Sequence, residues 1–314
     1  MKAFTIKVGD KFLDYRLGHK INIASFGKEL KGKGYGIEKL QMEGRHVIGT
    51  LGRSNKKFFV KLATSEGMSW LTQNEFEWNN QFNKQNSRKN SNFWVPINYD
   101  SGYFQKYLFY AIYDFVEGEK ITEYGSSNQI LLKETIEEII NFSELIQNLD
   151  IKNLAPNELS HGLSHWEWFV EKARLWLSDI PKDVVQQYQI RELLKVVENG
   201  ARELEKRPRH GDLTPWHIFK LTNNKLYLFD AEHASSESVE YYDIAYYIQR
   251  VFSILENDKV ANEILEKLED RGYDMKKVKT ILASRAIGGF LDRSLRKKPD
   301  YKRDQEFKKL ILNL

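Results

Sequence analysis

The hydrophobic pattern of the chain changes near Gly118, and this change limits the folds that the sequence can adopt. Before Gly118, short apolar runs alternate with turn residues, as in YGIEKL, VIGTLG and FFVKLA, which predicts an antiparallel meander of strands. Two further strand-like runs are predicted to meet at a turn over Asp100–Gly102. After Gly118, apolar residues recur about every three and a half positions, which predicts amphipathic helices. These helices are predicted over 128–149, 163–180, 184–206, 258–270 and 275–296.

The composition of the 314-residue chain excludes several classes of protein. Its 41% apolar content is typical of a globular protein, and its length suffices for about two domains or lobes. The chain has no cysteine, which excludes disulfides, a thiolate nucleophile and a cysteine-based zinc site. The net charge of +4 gives no argument for nucleic acid as a partner. No run approaches the roughly 18 apolar residues of a membrane span, and the start lacks a signal-peptide core, so we expect a soluble cytoplasmic protein without a membrane partner.

One segment carries two carboxylates in a frame that is typical of a paired-acid site. It reads RPRHGDLTPWHIFKLTNNKLYLFD and places Asp212 in a loop and Asp230 at the end of an apolar run. Asn223 and Asn224 between them predict a hairpin turn, so both carboxylates come from the ends of local elements. The alternative for either residue alone is a structural Asp in a turn or at a strand end. The combination of the two favours a site.

Lys61 lies in the predicted strand FFVKLA, which is otherwise apolar. A buried ammonium needs an anionic partner because leaving it unpaired is very costly; the alternative is an edge lysine whose end reaches water. The following stretch, 67–82, predicts an amphipathic helix with two candidate acids, Glu75 and Glu77. Glu75 shares the apolar face of that helix and Glu77 points away from it, so we expect Glu75 to pair with Lys61.

These pieces, in their order along the chain, resemble the catalytic segment of the aminoglycoside phosphotransferase and choline kinase family, which has the protein-kinase-like fold. The His-Gly-Asp-Leu loop of that family is present with Asp212, and its strand ending in a metal-binding Asp is present with Asp230. The resemblance implies an α+β, protein-kinase-like two-lobed fold with a small antiparallel-sheet N-lobe and a larger, mostly helical C-lobe. The implied boundaries are an N-terminal nucleotide-binding lobe over 1–112, a hinge over 113–118 and a helical C-terminal lobe with the catalytic loop over 119–314.

The resemblance also implies how ATP, or another nucleoside triphosphate, is bound. Lys61, steered by Glu75, would contact the phosphates, and Met42–His46 would form the loop above them. Backbone groups near Phe115 and Val116, in the implied hinge, would hydrogen-bond the adenine ring.

His217 departs from the family pattern, because the family has an Asn at this place. The Asn offers an oxygen to Mg²⁺, whereas an imidazole offers nitrogen, which suits Mn²⁺ or another transition ion better. Three alternatives follow from this departure. His217 ligates a metal with altered preference, Asp230 and Glu232 hold the metal without it, or the site binds nucleotide with little turnover.

The implied function is ATP-dependent transfer of the γ-phosphate to a hydroxyl of a small molecule, with Asp212 as the catalytic residue. The acids Glu232, Glu237 and Glu240, together with Trp216, suggest an amino-bearing acceptor, and an ordinary packed loop is the alternative. A nucleotide-binding pseudokinase that acts as a scaffold or regulator is a second hypothesis, motivated by the missing Asn. Modification of a protein acceptor is a third.

Two residues near the predicted catalytic loop have expected structural roles. His210 is expected to brace the loop and not to act as a general base. Asp243 stands where it could cap the following helix, and in the resembled family an Asp at the matching place braces the catalytic loop. The sequence assigns no role to residues 1–34.

Overall fold

The computed structural model describes residues 2–8, 10–88, 91–125, 129–154 and 162–314, in which a sheet-rich N-terminal region precedes a mostly helical C-terminal region. No helix among these residues is long and apolar enough to cross a membrane. The strands are β1 Thr5–Val8, β2 Lys11–Asp14, β3 Gly36–Glu43, β4 His46–Arg53, β5 Lys56–Ala63, β6 Phe93–Trp94, β7 Asn98–Phe104, β8 Leu108–Asp114, β9 Gly118–Lys120, β10 Lys206–Arg209, β11 Ile218–Leu221, β12 Leu226–Leu228 and β13 Ser235–Val239. The helices are α1 Ile23–Gly32, α2 Glu66–Gln85, α3 Gln129–Glu134, α4 Ile136–Gln147, α5 His165–Asp179, α6 Lys182–Gln187, α7 Arg191–Gly200, α8 Tyr242–Ser253, α9 Asp258–Asp270, α10 Met275–Ser294 and α11 Lys302–Asn313.

The N-terminal region is built on a five-stranded antiparallel sheet in the order β3-β4-β5-β8-β7. Its first three strands are the predicted meander. The helix α2 begins after Ser65, whose side chain accepts a hydrogen bond from the backbone of Met68, and it packs against β5 and β8. Two apolar side chains of α2, Trp78 and Phe82, belong to the C-terminal core, so this helix links the two regions.

The predicted turn at Asp100–Gly102 is wrong, because these residues lie inside β7. The chain turns instead at Gln105 and Lys106, whose φ angles are 52° and 72°. Gly102 serves a different purpose there. A Cβ at this position would lie 2.7 Å from the hydroxyl oxygen of Tyr110 on the paired strand, so glycine leaves room for that ring.

The predicted helix over 184–206 is also wrong as one element, since the chain forms α6, α7 and a 3-10 turn before β10. Gln189 has a φ of 49° and interrupts the helix. The buried ammonium of Lys308 hydrogen-bonds the carbonyl oxygens of Tyr188 and Gln189 at 2.8 and 3.0 Å, which satisfies carbonyl groups freed by the break. The prediction over 128–149 corresponds to α3 and α4, with residue 128 outside the described residues.

Two small sheets position the central loop of the C-terminal region. One has the order β6-β12-β11-β9 and contains the hairpin whose turn is Asn223–Asn224, as predicted. The other pairs β10 with β13. The loop between β10 and β11 carries Asp212, and the end of β12 leads to Asp230, so the two sheets bring these carboxylates to the same edge. The long helices α4, α5 and α8 to α10 supply most of the buried apolar side chains beneath them.

Candidate active site

The catalytic-type loop is held from below by Asp243, at the start of α8. Its two carboxylate oxygens accept hydrogen bonds from the backbone N–H groups of His210 and Gly211, both at 2.8 Å. Burial raises the pKa of Asp243 to about 6 against the effect of these two bonds. Gly211 adopts a φ of +85°, and a Cβ there would lie 2.0 Å from the carbonyl oxygen of His233. Asp243 therefore braces the loop, and its side chain forms no helix cap.

His210 is a packed neutral residue. Its ring is fully buried, lies edge-on to Trp78 at 5.9 Å, and accepts a hydrogen bond at Nδ1 from the backbone N–H of Asp212 at 3.3 Å. Burial lowers the pKa of His210 to about 3, and the opposing effect of Asp230 is too small to offset it. These contacts fit the expected bracing role.

Lys61 lies at the centre of the site and touches three carboxylates. Its Nζ atom is 2.7 Å from Glu75, 2.6 Å from Asp230 and 2.7 Å from Glu232. The lysine side chain is buried, which opposes its charge, but the three acids raise its pKa well above the ordinary value. Burial raises the pKa of Glu75 to about 7, against the effect of Lys61.

The helix face selects Glu75 over Glu77, as the sequence pattern predicts. Glu75 is 2% exposed and points at Lys61, whereas Glu77 accepts a hydrogen bond from the exposed side chain of Gln81. The lysine is therefore a buried partner of the helix and not an edge residue that reaches water.

Glu232 is held by the first hairpin of the five-stranded sheet. Its Oε1 atom lies 2.9 Å from His46 Nε2, and its Oε2 atom lies 3.8 Å from the guanidinium of Arg45. Burial opposes the ionisation of Glu232, but Lys61, His46 and Arg45 keep its pKa well below the usual range. Sequence reasoning missed both His46 and Arg45, and it predicted a loop over Met42–His46. The loop is shorter than predicted, because Glu43 pairs with His46 and only the two residues between them form the turn.

His217 bridges the two predicted carboxylates. Its Nδ1 atom lies 3.2 Å from the carbonyl oxygen of Asp212 and 3.4 Å from a carboxylate oxygen of the same residue, and its Nε2 atom lies 3.4 Å from Asp230 Oδ2. A neutral imidazole has a single N–H, yet both nitrogens face acceptors here. One ligand atom from each of Asp212, His217 and Asp230 lies within 4.8 Å of the others.

The connection between the two sheets passes through Phe115 and Val116, between β8 and β9. Asp114, just before them, accepts hydrogen bonds from the backbone of Ile97 at 2.7 Å and from the hydroxyl of Tyr227 at 3.2 Å. Its other oxygen pairs with Arg88 at 2.8 Å. This network fixes the exit of β8 against the β12 strand, and no local sequence signal points to it.

The model of the Phosphotransferase enzyme family, APH, matches residues 48–278. The chain belongs to this family. The match runs from within β4 to the start of α10, so it includes the site residues described above except Arg45 and His46. No curated protein matches the chain significantly by sequence.

Solved structures share the fold of this family member. A thermostable mutant of aminoglycoside phosphotransferase APH(4)-Ia, crystallised with ADP and hygromycin B, matches with a TM-score of 0.67 at 11% identity over 92% of this chain and 98% of that chain. Choline kinase LicA from Streptococcus pneumoniae matches with a TM-score of 0.58 at 14% identity over 94% and 100%. At such identities the likeness shows the fold alone, and the predicted α+β, protein-kinase-like fold is confirmed.

A cavity of about 300 Å³ opens beside the catalytic-type loop of this family member, with Asp212 and Glu232 in its wall. The N-terminal segment supplies part of the cavity wall through Phe4, Ile6 and Tyr15. The Tyr15 ring lies edge-on to His233 at 5.5 Å. This segment, to which the sequence assigned no role, therefore encloses the space next to Asp212.

The acids proposed to recognise an amino group have partners within the protein. Glu237 pairs with Lys206 at 3.0 Å, and Glu240 pairs with Lys277 at 2.8 Å. Trp216 packs edge-on against Tyr124 at 5.0 Å. With Glu232 engaged as described above, these contacts support the alternative of an ordinary packed loop.

Proposed function

We propose that this family member is an ATP-dependent phosphotransferase that transfers the γ-phosphate to a hydroxyl of a small molecule. The observation that carries the proposal is that three separate elements bring Lys61, Asp212 and Asp230 together: Asp230 lies 2.6 Å from Lys61, and one of its oxygens lies within 4.8 Å of a carboxylate oxygen of Asp212. Phosphoryl transfer needs these groups for positioning and charge neutralisation more than for covalent chemistry. The working division is a nucleotide-binding lobe over 1–112, a hinge over 113–118 and a catalytic lobe over 119–314.

The proposed nucleotide site lies between the five-stranded sheet and the β11–β12 hairpin. Lys61, oriented by Glu75, would contact the phosphates, and backbone groups near Phe115 and Val116 would bind the adenine. Two observations support nucleotide use: Lys61 is held by three acids, and fold neighbours were crystallised with ADP or AMP-PNP.

The donor set fits a divalent cation. Asp230 and His217 would hold it, since their facing atoms are 3.4 Å apart and one of the two acceptor-facing ring nitrogens lacks a proton in the neutral ring. Glu232 would join them only if Lys61 leaves its 2.7 Å contact. Bound Mg²⁺ or Mn²⁺ would neutralise charge on the nucleotide phosphates.

Asp212 has the position of the catalytic residue. Its side chain is 19% exposed, lies on the cavity wall, and its backbone is fixed by His210. It would orient the acceptor hydroxyl and take its proton while the hydroxyl oxygen bonds to the γ-phosphorus and ADP leaves. A carboxylate in this role needs hydrogen-bond reach to the acceptor, which the open cavity allows.

The pseudokinase hypothesis rests on His217 alone, and the comparisons give it no support. The deciding experiment offers ATP and a panel of hydroxyl compounds to the full chain, with Mg²⁺ and with Mn²⁺. ADP and a phosphorylated small product, identified by mass spectrometry, are expected. Nucleotide binding without ADP formation under any condition would favour the pseudokinase, and label on protein would indicate a protein acceptor.

A further inference from the structure

Arg285 places a buried guanidinium in the wall of the cavity beside Asp212. It lies on α10, one turn before Gly288 and two turns before Asp292, so all three face the cavity from the same side of the helix. The residue is only 6% exposed. A guanidinium buried to this extent needs an anionic partner, because an isolated buried charge costs much free energy.

The partners of Arg285 do not include an acid. Its guanidinium donates one hydrogen bond, at 2.8 Å, to the hydroxyl of Tyr242, and it lies 3.9 Å from the ring centre of Tyr246 and 5.0 Å from that of Trp176. No carboxylate of the described residues lies within 4.0 Å of it, and its Nε has no hydrogen-bond partner among them. Aromatic faces attract a cation but leave most of its N–H donors unused.

The remaining charges of the cavity do not neutralise Arg285. Of the acids in the wall, Asp292 pairs with Arg250 at 3.1 Å, and Glu232 is held by Arg45, His46 and Lys61. Asp212 faces His217.

We propose that the acceptor carries an oxyanion, a carboxylate or a phosphate, that binds Arg285 while its hydroxyl faces Asp212. This inference rests on the proposed phosphotransferase function and names the class of its acceptor. A guanidinium matches both oxyanions because its planar fork donates two parallel hydrogen bonds. Tyr246 and Trp176 beside it would cover the carbon skeleton, and the cavity volume of about 300 Å³ suits a small molecule.

The first test compares matched acceptors that differ in charge. Glucuronate and glucose 6-phosphate are each compared with glucose and glucosamine, and glycerate and glycerol 3-phosphate with glycerol. ADP formation and product mass give kcat/KM for each. We expect at least an approximately tenfold preference for an anionic member, the scale of a hydrogen bond to a charged group. The two anionic arms distinguish carboxylate from phosphate. Equal or better turnover of the neutral or amino compounds would overturn the inference and leave phosphotransfer intact.

A second test separates anion binding from turnover. This test uses the Asp212→Asn variant saturated with ADP. Sulfate and the anionic acceptors should raise its melting temperature more than choline chloride of the same ionic strength does. The Arg285→Met change in the same background should abolish this rise, and Arg285→Lys should retain part of it. Arg174→Met, at an exposed arginine of α5, is the control and should keep the full rise. If no acceptor is phosphorylated but this pattern holds, the anion site stands and the proposed function fails. If no anion gives an Arg285-dependent rise, the inference is wrong.

The stability of the ligand-free protein gives an independent readout. Removing a buried charge that lacks a counter-ion is neutral or stabilising, whereas removing a structural arginine destabilises. Arg285→Met should therefore melt at or above the temperature of the unchanged protein without anions. A clearly lower melting temperature, together with an unchanged acceptor preference, would assign Arg285 a structural role and overturn the inference.

Discussion

His217 Nε2 lies 3.4 Å from Asp230 Oδ2, at the place where the resembled family pattern has an Asn between its two acids. The opposite nitrogen of the ring faces Asp212. An Asn offers an oxygen to a metal, and an imidazole offers a nitrogen, so the donor set at this position is softer than in the pattern. The difference leads to a testable metal preference.

We predict that the unchanged protein has a higher ratio of Mn²⁺-supported to Mg²⁺-supported turnover than the His217→Asn variant. The reason is that replacing nitrogen by oxygen restores a donor that Mg²⁺ prefers. ADP formation is measured across a titration of each metal. His217→Ala serves as the comparison that lacks any donor, and it should lose turnover with both metals. Identical metal profiles for the unchanged protein and His217→Asn would show that His217 is not a ligand.

The Asp212→Ala variant should lose turnover by about a thousandfold or more while it binds nucleotide with little change. Asp212 is outside the proposed nucleotide contacts, and general acid–base groups account for roughly 10²–10⁴-fold in rate. ADP formation and the dissociation constant for a non-hydrolysable ATP analogue are measured together. Asp183→Ala, at an exposed position of α6, is the matched control and should leave both unchanged. Undiminished phosphorylation by Asp212→Ala would remove Asp212 from the catalytic role.

The local part of this site was readable from the sequence. Strand and helix periods placed Lys61 on a buried strand and Glu75, not Glu77, on the facing side of the next helix, because both inferences need only the geometry of one element. The hairpin at Asn223–Asn224 followed from turn chemistry in the same way. Such features are fixed by neighbours along the chain.

The remaining features depend on contacts between distant segments. His46 and Arg45 reach Glu232 only because the first hairpin folds over the β12 strand end. The carbonyl group of Gln189, at the helix break, accepts a hydrogen bond from Lys308, which lies on a helix near the end of the chain. The approach of Tyr15 to His233 likewise joins the first segment to the C-terminal region. No period or motif in one stretch specifies a partner so far away.

Lys61→Met should lower the free energy of unfolding by roughly 3–5 kcal/mol, because it leaves two buried carboxylates and the half-buried Asp230 without their ammonium. Glu75→Gln should cost less, about 1–3 kcal/mol, since two acids still neutralise Lys61. Urea unfolding at neutral pH measures both. Lys57→Met, on the exposed face of the same strand, is the matched control and should change little. Equal stability of the Lys61 and Lys57 variants would mean that the cluster does not stabilise the fold.

The pH dependence of stability should reveal the neutral, buried His210. Its pKa is about 3 in the folded protein and near 6.5 when unfolded, so only the unfolded chain binds a proton between these values. The contribution of this residue to the free energy of unfolding is complete above pH 6.5. It falls by about 1.4 kcal/mol for each pH unit below that value, and so by about 2 kcal/mol at pH 5. A His210→Gln variant, which cannot titrate, is expected to be less stable than the unchanged protein at pH 7.5 because it disturbs the packing against Trp78.

The difference in unfolding free energy between the unchanged protein and His210→Gln should therefore shrink by about 2 kcal/mol between pH 7.5 and pH 5. Urea unfolding at both pH values measures it, with His19→Gln, at an exposed position, as the control that should show no comparable change. A difference that stays constant with pH would mean that His210 becomes an imidazolium by pH 5 in the folded protein as readily as in the unfolded chain. The Nδ1 atom could then not accept the backbone N–H of Asp212, and the bracing contact that fixes the catalytic loop would have to be replaced by another.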